Sequence, residues 1–363
     1  MKAGIVGLPN IGKSTLFNCL SSAKAQSANY PFCTIEPNVG SVQVPDPRIY
    51  KLEELVKPER VLPAVVEIVD IAGLVRGASK GEGLGNQFLG NIRETHAIIH
   101  VLRCFDNDNI THVDHSIDPI RDKETIDIEL QLKDLETVEK RLEKAKKMAK
   151  TGDKESLKIA EVTEKIADHL KKGLNARGLE LTDSEQPVMD EMQLLTAKPV
   201  LYICNVDEAS AKTGNHHVEA VKKMVQGENA EVLMLAVATE ADIAELESHE
   251  ERQMFLEELG LEEPGVNRLI RSVYKLLKLK TYFTAGVKEV RAWTIKEGFT
   301  TPQAAGVIHS DFEKGFIRAE VISYNDYEHY GSEAKVKEAG KLRVEGKEYV
   351  VQDGDVMHFR FNV

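Results

Sequence analysis

One short stretch near the start of the chain, Gly7-Leu8-Pro9-Asn10-Ile11-Gly12-Lys13-Ser14, constrains the fold more than any other. It matches G-x-x-x-x-G-K-[ST], a loop whose backbone N–H groups converge on phosphate oxygens. The pattern carries weight only between a strand and a helix, and both flanks are present. Ala3-Gly4-Ile5-Val6 is a short apolar run that reads as a buried strand, and Leu16, Phe17 and Leu20 follow at helical spacing. Gly7 and Gly12 permit the tight backbone curl. The helix behind them offers its positive dipole end to an anion. Lys13 can reach the outer phosphates, and the Ser14 hydroxyl can ligate Mg²⁺.

Downstream segments fit the same chemistry. Asn29-Tyr30-Pro31-Phe32-Cys33-Thr34-Ile35-Glu36-Pro37 carries two prolines and reads as a loop. Thr34 stands where a switch threonine would meet Mg²⁺ and the γ-phosphate, although taken alone it is better explained by a plain surface loop. The β-branched run 64–70 ends in Asp70-Ile71-Ala72-Gly73, a D-x-x-G at a strand end. Asp70 would hold Mg²⁺ through water, and the Gly73 N–H would touch the γ-phosphate. The stretch 73–85 is glycine-rich, as a second switch should be. Ras-like GTPases place a water-orienting Gln directly after that first glycine. Here it is Leu74, which cannot orient water. Either hydrolysis is slow or another group supplies the function. Beyond the strand 97–103 and the polar loop 106–109, His112 is a candidate for polarising a water, a surface histidine being the plainer alternative.

The apolar run 199–204 reads as another buried strand and leads into Asn205-Val206-Asp207-Glu208. Guanine-binding proteins of this architecture carry N-K-x-D at this point, with the Asp paired to the guanine edge. Val206 replaces the Lys and Glu208 the Asp, and a displaced carboxylate weakens guanine preference. ATP, or relaxed base specificity, is the expectation. Leu233–Ala238 reads as the last strand, with the loop Ala238-Thr239-Glu240 beside the base.

Composition narrows the partners and the compartment. The chain has 363 residues, a net charge of −12 and 42% hydrophobic residues, so it can bury a core and lacks a global basic signature for nucleic acid. Cys19, Cys33, Cys104 and Cys204 are too scattered for a zinc site or disulfide framework, which points to reduced thiols in a cytoplasmic protein. A first strand at residue 3 leaves no room for a signal peptide, and the apolar runs are too short to span a bilayer. No membrane association is expected, and monomer is the default.

Between Pro119 and Pro187 there is no proline, and Ile128, Leu132, Leu135, Leu142, Ala145 and Ala149 form a heptad-like stripe. Thr151-Gly152-Asp153 breaks it before a second helix bearing Ile159, Val162, Ile166 and Leu170, so an antiparallel hairpin is predicted as an insertion. Residues 140–158 hold eight basic side chains against three acidic ones. These suit a phosphate-contacting tip for RNA or, equally, a solvated coiled-coil face. From Tyr282 the pattern turns to period two, with strands at 282–284, 291–295, 317–322, 349–351 and 356–361 and a helix opened by Thr301-Pro302. This composition suits a small α+β fold of β-grasp type.

Taken together, Gly7–Ser14, Asn29–Pro37, Asp70–Gly73, Asn205–Glu208 and the C-terminal pattern closely resemble the YchF family of Obg-related P-loop proteins, over essentially the whole chain. The resemblance implies an α/β TRAFAC-class, Obg-like P-loop NTPase domain formed by 1–121 and 197–277. It further implies an inserted antiparallel coiled-coil helical arm over 122–196 and a C-terminal α+β TGS domain over 278–363. It places Asn10, Ile11, Gly12, Lys13, Ser14 and Thr15 around the phosphates, makes Ser14 and Thr34 Mg²⁺ ligands, and sets Asn205, Val206 and Glu208 along the base. It also implies slow ATP hydrolysis and association with ribosomes or ribosomal RNA. The alternatives are a GTPase of the same fold, or an RNA or protein adaptor gated by nucleotide without turnover.

Overall fold

The computed structural model describes residues 1–25, 38–71, 84–114, 116–150, 153–228, 230–246 and 248–362. Twelve strands form two sheets among these residues. They are β1 (Lys2–Val6), β2 (Val39–Gln43), β3 (Val61–Leu62), β4 (Val65–Asp70), β5 (Ala97–Arg103), β6 (Val200–Asn205), β7 (Glu231–Leu235), β8 (Leu279–Ala285), β9 (Val290–Lys296), β10 (Phe316–Ser323), β11 (Arg343–Glu345) and β12 (Asp355–Phe361).

The first sheet has the order β2-β4-β1-β5-β6-β7, and β1 pairs in parallel with both β4 and β5. Parallel pairing continues through β5–β6 and β6–β7. Every residue of β5 and β6 is buried, as expected when helices cover both faces of a parallel sheet. The strand order reverses at β1, and such switch points open a crevice outside the carboxyl ends of the strands. The loop Gly7–Ser14 leaves β1 there, while β4, β5 and β6 bring up Asp70, Arg103 and Asn205 as their last residues. The last strand is shorter than expected: β7 stops at Leu235 and a helix spans Val237–Glu245. Leucine, alanine and valine suit either state, so composition alone carried the strand too far. Thr239 and Glu240 are consequently buried in that helix rather than held in a loop.

The inserted arm is the expected helical hairpin, Pro119–Ala149 followed by Lys154–Lys171. Asp118 caps the first helix by accepting from the N–H groups of Ile120 and Arg121. The predicted apolar stripe is corrected. Ile128 and Leu132 are 53% and 47% exposed, and the buried row instead runs through Ile126, Leu130, Asp134, Val138 and Ala145. Asp134 occupies that row because its carboxylate accepts from Leu195 N–H, Thr196 N–H and the Thr196 hydroxyl at 2.7–2.8 Å. Val162, Ile166 and Leu170 of the second helix join Val138, Val188, Met189, Met192 and Leu194 in one cluster, so the segment after the hairpin completes the arm's core.

The second sheet has the order β11-β10-β12-β8-β9-β3. The helix Thr301–Ile308 packs on it, with Ala304 and Ala305 against Tyr282, Trp293, Phe316 and Phe359, as in a β-grasp. Its cap is Thr300 in a capping box with Gln303, one residue before the expected Thr301. The strand expected at 349–351 is reduced to a single bridge from Val350 to Thr300, between the turns at Gly346 and Gly354. The chain divides into two compact units, one of residues 1–40 and 67–269 and one of 41–66 and 270–363. The segment 41–66, which the sequence reading leaves in the nucleotide domain, thus belongs with the C-terminal residues, and it supplies β3 in parallel alongside β9.

Candidate nucleotide site

The phosphate loop is built from backbone constraints that only its own sequence meets. Gly12 has φ +96°, and a Cβ there would stand 2.6 Å from Asn205 Nδ2. A Cβ on Gly7 would stand 2.7 Å from the Val101 carbonyl oxygen. Asn10 adopts φ +61°, a left-handed conformation that asparagine tolerates better than most residues. Leu16 N–H bonds Gly12 O at 2.9 Å to close the first turn, and the helix Lys13–Ala25 has no acidic residue in that turn. Its positive end is therefore free of an internal counter-charge.

Lys13 is 7% exposed, and its ammonium donates to Leu8 O at 2.7 Å. Burial lowers its pKa to about 8, against the opposing pull of the Asp70 carboxylate. Ser14 Oγ donates to Asp70 Oδ2 at 3.1 Å, while Asp70 Oδ1 is buried without a partner among the described residues. Burial also raises the Asp70 pKa, and the Ser14 hydroxyl and Lys13 oppose that shift. A buried carboxylate oxygen without a partner, beside a serine hydroxyl, is a donor set suited to Mg²⁺. Thr34, Gly73 and Leu74, the expected switch residues, lie outside the described residues.

Asn205 occupies the position expected to meet the purine, but its amide is engaged with backbone. Nδ2 donates to Ile11 O at 2.9 Å and Oδ1 accepts from Val237 N–H at 3.1 Å, with the residue 4% exposed. It ties the phosphate loop to the connection after β7. Val206 is buried, its N–H on Leu235 O. Glu208 is exposed on a short 3-10 turn that Asp207 caps through Ser210 N–H. Glu240, expected beside the base, instead accepts from the N–H groups of Gly265 and Val266 and caps the helix Gly265–Leu276.

His112 is no surface histidine. Its Nε2 lies 2.8 Å from Asp122 Oδ2, and its Nδ1 accepts from Asp114 N–H at 3.1 Å. Nε2 therefore carries the proton and donates it to Asp122, whose other oxygen takes Arg121 at 3.1 Å. The preceding residue touches the phosphate loop: Thr111 O accepts from Asn10 Nδ2 at 3.2 Å. Sequence reasoning overlooked Arg103, which closes an apolar strand yet is 1% exposed. A charge at the end of such a run is the signal that was available.

On the arm, half of the eight basic side chains are already paired. Lys140, Arg141, Lys146 and Lys147 bond Glu136, Glu191, Glu164 and Glu143. Lys144, Lys150, Lys154 and Lys158 have no carboxylate partner among the described residues. No helix among the described residues is long and apolar enough to cross a membrane.

A parallel sheet with a phosphate-binding loop at its switch point, and a serine–aspartate pair beside the loop lysine, define a P-loop nucleotide-binding protein of the GTPase fold. Family comparisons agree. The model described as "50S ribosome-binding GTPase" matches residues 2–134, and the YchF-GTPase C-terminal model, described as "Protein of unknown function (DUF933)", matches residues 279–362. The Bacillus subtilis (strain 168) protein named "Ribosome-binding ATPase YchF" is 56% identical, covering 100% of each chain. Its Escherichia coli O157:H7 counterpart is 57% identical, covering 100% of this chain and 99% of the relative. The solved structure of the Schizosaccharomyces pombe YchF GTPase superposes with a TM-score of 0.91 at 38% identity, covering 99% of this chain and 97% of that one. The chain belongs to the YchF family.

Proposed function

We propose that this chain is a ribosome-associated switch of the cytoplasm that binds ATP with Mg²⁺ and slowly hydrolyses it to ADP and phosphate. The observation that carries this reading is the buried, unpartnered Asp70 Oδ1 beside Ser14 and Lys13. The names of the full-length relatives support both the ATPase activity and the ribosomal partner.

Binding begins at the phosphate loop, where Lys13 exchanges Leu8 O for a phosphate oxygen. The N–H groups from Asn10 to Thr15 and the helix end hold the remaining phosphate charge. Ser14 and Thr34 would hold Mg²⁺, with Asp70 acting through water, and the ion would supply charge neutralisation to the phosphates. Gly73 N–H meets the γ-phosphate. Val206 and Glu208 line the base, with Asn205 fixing the loop behind them. Glu208, exposed on its turn, suits an adenine amino donor better than the guanine edge. With Leu74 in the glutamine position, His112 orients the attacking water. In the resting arrangement Asp122 and Asp114 N–H occupy both ring nitrogens of His112. To act, the ring must leave that carboxylate. The unpaired lysines of the arm contact ribosomal RNA.

Calorimetric titration with ATP and GTP, each with Mg²⁺, tests the base reading, and single-turnover phosphate release tests the chemistry. Tighter ATP binding with slow release is the expected result. Tighter GTP binding overturns the base assignment, and release no faster than in buffer, with ribosomes present, overturns the enzymatic one.

A further inference from the structure

The last residue of β5 is a buried cation that feels the charges of Asp106 and Asp122 without a salt bridge to either. Arg103 is 1% exposed, and no carboxylate among the described residues forms a salt bridge with it. Its guanidinium instead gathers three carbonyls of the loop that follows. Nε donates to Phe105 O at 3.2 Å, one terminal nitrogen to Ile110 O at 2.8 Å and the other to Asn107 O at 2.9 Å. The Phe105 ring lies beneath it, 4.6 Å from the guanidinium carbon. Asn107 tightens the same turn, its Oδ1 accepting from Asn109 N–H and its carbonyl from Ile110 N–H.

This arrangement is costly for a plain connection. A buried cation held by neutral carbonyls, one aromatic face and the more distant charges of Asp106 and Asp122 recovers only part of its lost hydration. The planar fork takes three carbonyls spread over six residues in one fixed geometry, where a lysine would offer a flexible point charge. The loop it shapes then does two things: Thr111 O meets Asn10 Nδ2 of the phosphate loop, and His112 meets Asp122.

We propose that Arg103 is a positioning residue for hydrolysis: by fixing the carbonyls of Phe105, Asn107 and Ile110 it sets the loop that carries Thr111 onto Asn10 and His112 toward the phosphates. The proposal rests on the reading of His112 as the water-orienting group. Arg103 acts through that loop, its guanidinium being engaged by the three carbonyls. Removing its fork lets the loop wander, which lowers turnover while leaving nucleotide affinity, set by the phosphate loop, nearly unchanged.

The test uses the full chain with Mg²⁺ and ATP. Arg103→Met keeps most of the side-chain length and loses every donor. Its turnover should fall about tenfold or more while ATP affinity changes less than about threefold. Arg103→Lys keeps the charge without the fork and should recover only a fraction of the rate. The double variant Arg103→Met/His112→Ala should be no slower than His112→Ala alone. Wild-type turnover in Arg103→Met, beside a slow His112→Ala, overturns the positioning role and leaves the His112 reading intact. Full recovery in Arg103→Lys overturns it too, because charge alone would then suffice. Wild-type turnover in His112→Ala overturns the reading beneath it. Should Arg103→Met fail to fold, Arg103→Lys decides: a slow enzyme with a normal melting temperature supports the role, and wild-type turnover overturns it.

Discussion

Asn205 Nδ2 stands 2.9 Å from the carbonyl oxygen of Ile11, joining residues 194 positions apart in the chain. Its Oδ1 holds Val237 N–H at the same time. Asn205→Ala would leave a buried carbonyl and a buried N–H without partners, at a cost of about 1–3 kcal/mol each. The expected outcome is a lower melting temperature together with weaker binding of ATP and GTP alike. Chemical denaturation and calorimetry check it. A variant that changes only the ratio of ATP to GTP affinity would return Asn205 to reading the base.

Lys13 sets a pH limit on binding. Its pKa in the free protein is lowered to about 8, and a bound triphosphate raises it again. Binding therefore takes up a proton above about pH 8, and ATP affinity should fall by up to about tenfold per pH unit there. The stability of the ligand-free protein runs the other way. Because the folded pKa is depressed, this group's contribution is fully present above 10.5 and is lost as pH falls through about 8. Titrations across that range read the first effect and thermal melts the second. Affinity that stays level above pH 8 would mean that the ammonium does not carry the phosphate interaction.

Asp70→Asn should separate stability from function. Burial already disfavours the charged carboxylate, so a neutral amide of the same shape should raise the melting temperature of the ligand-free protein by a few degrees. The same change should cut the Mg²⁺-dependent gain in ATP affinity about tenfold or more, because a hard cation needs the carboxylate. Binding measured with and without Mg²⁺ decides it. An unaltered Mg²⁺ effect would rule out Asp70 as a metal-site residue.

The arm makes a graded prediction. Neutralising Lys144, Lys150, Lys154 and Lys158, which lack carboxylate partners among the described residues, should weaken ribosome co-sedimentation. It should also flatten the salt dependence, by roughly one unit of slope for each phosphate no longer neutralised. Neutralising Lys140, Arg141, Lys146 and Lys147 should do less, since each is already bonded to a glutamate. Equal effects from the two sets would show that the ion pairs open on binding.

Local chemistry made the nucleotide site legible. The phosphate loop declares itself through glycines at fixed offsets, and β5 and β6 through runs dense in apolar residues. What escaped the sequence depends on partners far along the chain. Asp134 and Lys123 lie on the buried side of the arm because Thr196 and Leu195, and Asp127 and Glu228, satisfy them. A pattern of hydrophobic residues cannot anticipate such partners, so it selected Ile128 and Leu132 instead. The two-residue strand β3 has no periodicity to detect. Arg103 drew no notice in the sequence because its carbonyl partners belong to a loop whose path sequence alone does not set.

The place of β3 has a consequence for modularity. A fragment cut at residue 278 would carry β8 to β12 but lack the strand that pairs with β9. That would uncover Val290 and Arg291 at the start of β9 and lengthen an exposed edge of the kind that recruits other chains. The C-terminal unit is therefore not an appendix that a gene fusion could add or a protease remove in one step. One of its segments lies within the first third of the chain, so no single cut separates the two units whole.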